Sequence, residues 1–201
     1  MTNLPNILIT GWTWRLGKAF KKIFPEALYP TRKEMNITDP AMIADFLSKH
    51  SDVDTIVHLA AIASIPWCEN DKSSAWNTNV MGTRYLLEGV KKYKNIKKFI
   101  YLQTACIFSG EDDFFYDEDS IPNPKHYYGL TKLAAEEIVK SFNSDKLQTI
   151  IVRTNFTTMP WEYPKAFVDR YGTYLFAQWV AKGIKEIVDS KTHTIGVEFI
   201  V

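Results

Sequence analysis

The sequence predicts an α/β fold built on a doubly wound parallel sheet, and three observations carry that prediction. Short, continuous runs of β-branched and aliphatic residues alternate with longer helical patterns along the chain. Strands that are apolar on both faces belong to a parallel sheet covered by helices on both sides. A glycine-framed turn, Thr10-Gly11-Trp12-Thr13-Trp14-Arg15-Leu16-Gly17, follows the first run and opens the first helical pattern. The 201 residues suffice for one well-buried core and are too few for two domains of ordinary size.

Taken in order, Ile7-Leu8-Ile9-Thr10 reads as the first strand, residues 14–23 as the first helix and Ala27-Leu28-Tyr29 as the second strand. Pro40 opens a helix to about residue 49, residues 55–60 read as a buried strand, and residues 73–93 as a long helix. Phe99-Ile100-Tyr101-Leu102 is the next strand, residues 128–142 the next helix, and Thr149-Ile150-Ile151-Val152 the strand after it. The stretch 109–126 is acidic, carries prolines and lacks a helical period, so it reads as a surface loop, either a solvated connector or a lid. Beyond Arg153 the pattern loosens. Residues 174–188 form a last expected helix and residues 196–201 a final strand.

Composition narrows the function. Hydrophobic residues make up 46% of the chain, the net charge is +1 and the mean hydropathy is −0.19. That balance describes a globular protein without the basic surplus a polyanion requires, so neither nucleic acid nor a membrane surface is an expected partner. Cys68 and Cys106 are far apart and lack CxxC spacing, which argues against a disulfide framework or a structural zinc site and fits a reducing compartment. No metal is expected. The first residues run into a strand without a basic, apolar leader, so the expected location is the cytoplasm.

Two candidate sites stand out. Tyr128 and Lys132 lie four residues apart in HYYGLTKLAAEE, where a helix places them on one face. A neighbouring ammonium favours the phenolate and pulls a tyrosine from its reference near ~10 toward working pH, as a proton-transfer site beside a carbonyl requires. The second site is the turn. Its outer glycines, Gly11 and Gly17, suit a tight bend and close helix packing, and the helix N-terminus then turns free N–H groups toward a pyrophosphate. Trp14 stands where a middle glycine would be, so its N–H can serve only if its backbone takes ordinary φ and its indole points away. No acid ends the second strand, and Arg32, with Arg15, suits a ribose 2′-phosphate, favouring NADP while leaving NAD open.

Read together, TGxxxxxG, His58-Leu59-Ala60-Ala61, Asn79-Val80-Met81-Gly82-Thr83, Thr104 and Tyr128-Gly129-Leu130-Thr131-Lys132 resemble the extended short-chain dehydrogenase/reductases. The likeness is greatest to the dTDP-4-dehydrorhamnose reductase branch: RKEMNITDP looks like its R-x-x-L-D-I-T-D-P segment, QTACIFSG like its S-T-D-Y-V-F-D-G, and the acidic loop and YGLTKLAAEE follow in the same order. The resemblance implies a Rossmann-like domain over residues 1–155 and a reduced C-terminal substrate lobe over residues 156–201, not an independent domain. It implies an NADP(H)-dependent reductase or epimerase of a nucleotide-activated sugar, with Tyr128 as the acid, Lys132 as the nicotinamide-ribose anchor and Thr104 as a second donor to the carbonyl oxygen.

The same resemblance assigns the cofactor to Gly11, Trp14, Arg15, Leu16, Gly17, Arg32, Asn36, Ile37, Leu59, Ala60, Ala61, Asn79, Tyr128, Lys132 and Thr154. Asn36 would accept from the adenine amino group, and the two alanines would let the cofactor lie close over the strand end. Gln103, Ala105 and Cys106 depart from the branch's pattern around Thr104, and the absent acid pair disfavours a dehydratase. The short lobe implies a smaller substrate, a homodimer or a partner subunit that completes the substrate site. The alternative is a non-catalytic NADP-binding interaction or regulatory module of the same fold. His58 reads as a packed strand histidine.

Overall fold

A computed structural model describes residues 6–111, 115–157, 174–190 and 196–199, apart from the side chains of Arg15 and of residues 196–199. Five parallel strands form the main sheet in the order β1 (Ile7–Thr10), β2 (Thr55–His58), β3 (Lys98–Thr104), β4 (Gln148–Thr154) and β7 (Gly196–Phe199). Phe156–Thr157 (β5) and Leu175–Phe176 (β6) make a separate parallel pair.

The strands lack polar alternation because both faces are covered. Leu8, Ile56, Phe99, Tyr101 and Ile151 point to one side, where they meet α2 (Pro40–Lys49), α5 (Gly82–Val90) and α6 (Tyr127–Ser141). Ile9, Val57, Ile100, Ile150 and Val152 point to the other, against α1 (Arg15–Ile23) and α7 (Ala177–Asp189). Each fully buried aliphatic side chain contributes roughly 1.5–3 kcal/mol, and these two layers hold the strand ends that carry the site.

Three differences from the sequence reading have local causes. Ala27-Leu28-Tyr29 pairs with the outer edge of β1 through Leu28 alone, by Leu28 N–H to the Ile7 carbonyl and Ile9 N–H to the Leu28 carbonyl. Pro25 and Pro30 flank it, lack N–H donors and leave it too short to be a strand. The helix expected over residues 73–93 is three pieces: α4 (Lys72–Trp76), a π-helical turn at Asn77–Met81, and α5. Before them lies α3 (Ile65–Asn70), capped by Ser64, which accepts from Trp67 N–H and is followed by Pro66 in the first turn.

The stretch over residues 156–201 shares in the main sheet. Within it, β7 extends the main sheet beyond β4, and α7 lays Val180, Ala181 and Ile184 on the α1 face. These elements complete the dinucleotide-fold sheet and its cover. The remainder of that stretch, residues 158–173, 191–195 and 200–201, lies outside the described residues.

After β1 the chain passes to the Leu28 side of the sheet and then returns to β2 on the opposite side. The direction of winding therefore reverses between β1 and β2, and ligands of such sheets bind outside the C-terminal ends of the strands at that reversal.

Candidate active site

At the reversal, Gly11 has φ +74°, a backbone that L side chains rarely adopt. A Cβ there would stand 2.4 Å from Ala60 N, so the turn after β1 packs directly on the segment after β2. Gly17 closes the same turn, since its Cβ would fall 2.2 Å from the Trp12 carbonyl oxygen. Trp14 occupies the N-cap of α1 with φ −88°, and its indole is 62% exposed. No side chain caps the helix and no acid stands in its first turn, so its N–H groups and dipole fit an anion. Leu16 buries its side chain in the α1 layer, leaving only its backbone for a ligand.

Nearby, Arg32 is exposed, whereas Ile37 is buried against Gly82. Asn36 differs from its expected part. Its Oδ1 accepts from both the N–H and the hydroxyl of Thr38, at 3.2 and 3.0 Å, so both lone-pair sites already serve a local turn. An acceptor for an adenine amino group is therefore not available from this rotamer.

Leu59, Ala60 and Ala61 leave the β2 ladder half-buried. Asn79, in the π-helical turn, braces that segment: Oδ1 accepts from Ile62 N–H at 2.7 Å, and Nδ2 donates to the Ile62 carbonyl at 3.1 Å and to Thr131 Oγ1 at 3.0 Å. Its amide is buried and fully engaged, so it shapes the site rather than facing into it. π turns are often found at such functional places.

His58 extends this scaffold. Thr83 gives its hydroxyl proton to the Asn79 carbonyl, so the 3.0 Å contact with His58 requires a proton on Nε2. Nδ1 then accepts from Thr10 Oγ1 at 2.7 Å, and that oxygen accepts from Ala60 N–H at 3.4 Å. Burial, and secondarily the nearby Lys132, depress the His58 pKa to about 3. It is a neutral, packed strand histidine.

Thr104 ends β3 beside Tyr128 in the first turn of α6, near enough for its side chain to act on the phenol's ionisation. The Thr104 hydroxyl accepts from Cys106 N–H at 3.2 Å, which fixes its position. Gly129 lets α6 come this close, because a Cβ there would meet the Cys106 carbonyl at 2.3 Å. His126 caps α6 by accepting from Gly129 N–H at 3.0 Å, and Glu69 accepts from Tyr127 N–H at 2.6 Å. Thr154, the register partner of Thr104 on β4, is buried and donates to the Asn155 carbonyl.

Lys132 shares the helix face of Tyr128, yet its ammonium turns to the Leu102 carbonyl at 2.7 Å and lies 3.9 Å over the Tyr101 ring. The expected lowering of the Tyr128 pKa is therefore not what the geometry gives. Burial pushes the Tyr128 phenol well above its ordinary value, the neighbouring Cys106 raises it further, and the Thr104 side chain opposes them. Burial also pulls Lys132 from 10.5 down to about 7.

Behind these residues lies a network that the sequence reading missed. Glu136, one turn after Lys132, accepts from Arg153 at 2.6 and 3.3 Å, from Lys140 at 2.9 Å and from Gln103 at 2.7 Å. A glutamate on the buried side of the α6 pattern and an arginine inside the run TIIVRT were the available signals, since such charges are rarely buried unpaired. A cavity of about 540 Å³ opens between residues 118–122 and the outer side of α6, and Thr104, Tyr128 and Lys132 do not line it. No cluster able to hold a metal ion occurs among the described residues, and none of their helices is long and apolar enough to cross a membrane.

Comparison with known proteins places this arrangement. The pattern of the NAD dependent epimerase/dehydratase family matches residues 9–187. The chain belongs to that family. Among family relatives, a dTDP-D-glucose 4,6-dehydratase of Dictyostelium discoideum is 32% identical over 148 residues, covering 68% of this chain and 34% of that protein. A dTDP-4-dehydrorhamnose reductase of Aggregatibacter actinomycetemcomitans is 28% identical over 159 residues, covering 77% of this chain and 52% of the relative. The chain thus spans about a third to a half of these curated relatives. The crystal structure of a dTDP-4-dehydrorhamnose reductase from Bacillus anthracis, solved in complex with NADP, superposes with a TM-score of 0.81. At 22% identity, it covers 98% of this chain and 74% of that one, and it shows the shared fold.

Proposed function

We propose that this family member is an NADP(H)-dependent reductase, or epimerase, acting on a keto group of a nucleotide-activated sugar. The carrying observation is that the start of α6, with Tyr128 and, one turn on, Lys132, is held against the end of β3 that carries Thr104, where Gly129 rests on the Cys106 carbonyl and Lys132 Nζ donates to the Leu102 carbonyl at 2.7 Å. The names of the relatives supply the substrate class and the cofactor.

The uncapped α1 terminus fits a pyrophosphate, so Gly11, Trp14, Arg15, Leu16 and Gly17 would hold it through the turn and its N–H groups. Arg32, with Arg15, would meet a ribose 2′-phosphate, and Ile37 would border the adenine. Leu59, Ala60, Ala61 and Thr154 would line the cofactor's path, with Asn79 bracing the first three. When bound, the cofactor supplies hydride to the substrate carbonyl carbon. Tyr128 is held protonated, which is the form that donates to the carbonyl oxygen. Thr104 orients that phenol and offers a second hydrogen bond to the same oxygen. Lys132 anchors the nicotinamide ribose.

Fluorescence titration with NADPH tests the first step; no binding at millimolar cofactor ends this reading. Tyr128→Phe separates it from the alternative, a non-catalytic NADP-binding module, for which the exposed Trp14 indole beside the turn is the favouring observation. Retained NADPH binding with turnover lowered at least ~100-fold, the scale of a lost general acid, supports the enzyme. Unchanged behaviour supports the module.

A further inference from the structure

Gln103 immediately precedes Thr104 on β3 and is 2% exposed. Its Oε1 accepts from Thr104 N–H at 2.9 Å. Its Nε2 donates to the Lys132 carbonyl at 3.0 Å and to Glu136 Oε2 at 2.7 Å, using both amide protons. One side chain therefore ties the strand end that carries Thr104 to the helical turn that carries Lys132. Its outer end rests on a fixed carboxylate, since Glu136 is clamped by Arg153 and Lys140. Tyr101 adds a hydrogen bond to the same Lys132 carbonyl at 3.3 Å. Only an amide combines an acceptor with two donors at this length, and a buried, fully satisfied network of this kind is worth more than its separate bonds.

We propose that Gln103 is a positioning residue that holds Thr104 and Lys132 as one body for the reduction, an inference that rests on the function proposed above. Without its amide, Lys132 loses one of the two side chains that fix its turn, and the Thr104 N–H loses an acceptor. Small displacements at such a site weaken both orientation and turnover.

Two variants test it. Gln103→Met preserves volume and removes every hydrogen bond. Gln103→Glu preserves an acceptor for Thr104 but places a carboxylate beside Glu136, with Lys132, Lys140, Arg153 and Tyr101 as the other charged or titratable groups around it. Like charges raise such a carboxyl's pKa, and its protonated form regains a donor. The readouts are NADPH affinity by fluorescence titration and turnover of a nucleoside-diphosphate 4-keto-6-deoxyhexose with NADPH across pH. Thermal unfolding confirms that each variant is folded.

In Gln103→Met, NADPH affinity should fall about five- to tenfold and kcat about 10- to 100-fold at every pH. In Gln103→Glu, both should recover relative to the wild type as pH falls and the new carboxyl takes up a proton. Unchanged NADPH affinity in Gln103→Met, or a Gln103→Glu profile parallel to the wild type's, overturns the assignment. A wild type that binds NADPH but turns over no sugar nucleotide refutes the reductase reading alone, and the affinity ratio then decides the role of Gln103. No NADPH binding by the wild type refutes both.

Discussion

Burial strips the Lys132 ammonium of water and draws its pKa from 10.5 to about 7, so half of the population is neutral near physiological pH. The folded pKa lies below the unfolded one. Between about 7 and 10.5 the unfolded chain therefore holds a proton that the native state lacks, and stability from this group falls as pH drops across that window. Below it, the full cost persists. Lys132→Met, of similar shape, should raise stability by roughly 1–4 kcal/mol at pH 7 and less as pH approaches 10, measured by denaturant unfolding. A destabilised variant, or a gain independent of pH, would contradict this account. The same variant should lose NADPH affinity, because the group that weakens the fold is the ribose anchor of the proposed site.

Glycine contacts set the positions of the elements. α6 reaches the end of β3 only because Gly129 lets it rest on the Cys106 carbonyl, and a Cβ at 2.3 Å must move one of them. Gly129→Ala should cost ~1–3 kcal/mol, as overpacking against backbone does, and should separate Tyr128 from Thr104. Thermal unfolding checks the first effect and NADPH-dependent turnover the second. Most elements were legible in the sequence: α2 from Pro40, α6 from its long apolar period, and the central strands from apolar runs. The six residues of α3 are too few for a period to emerge, and a π-helical turn keeps the composition of a helix while changing its phase. Within the site, the shared helix face of Tyr128 and Lys132 was legible from their spacing, and the place of Thr104 at a strand end from the apolar run before it. The direction of the Lys132 ammonium and the Gln103–Glu136–Arg153 network were not, because both depend on contacts between α6, β3 and β4.

Across the molecule, His58 ties β1, β2 and the start of α5 together. Its folded pKa of about 3 lies below the unfolded value of 6.5, so only the unfolded chain gains this proton as pH falls through that range. The loss of stability approaches ~1.36 kcal/mol per pH unit for this one group. His58→Asn should begin less stable at pH 7 yet lose less between pH 6.5 and 4 than the wild type, as read from urea midpoints; parallel losses would assign the acid sensitivity elsewhere. The hydroxyl of Thr10, the imidazole of His58 and the hydroxyl of Thr83 all pass their hydrogens the same way, ending on the Asn79 carbonyl. A backbone carbonyl has no proton to hand on and none to accept for keeps. This row of polar groups at the end of β2 is thus an insulator rather than a wire, and in the proposed reaction it offers Tyr128 no supply of protons.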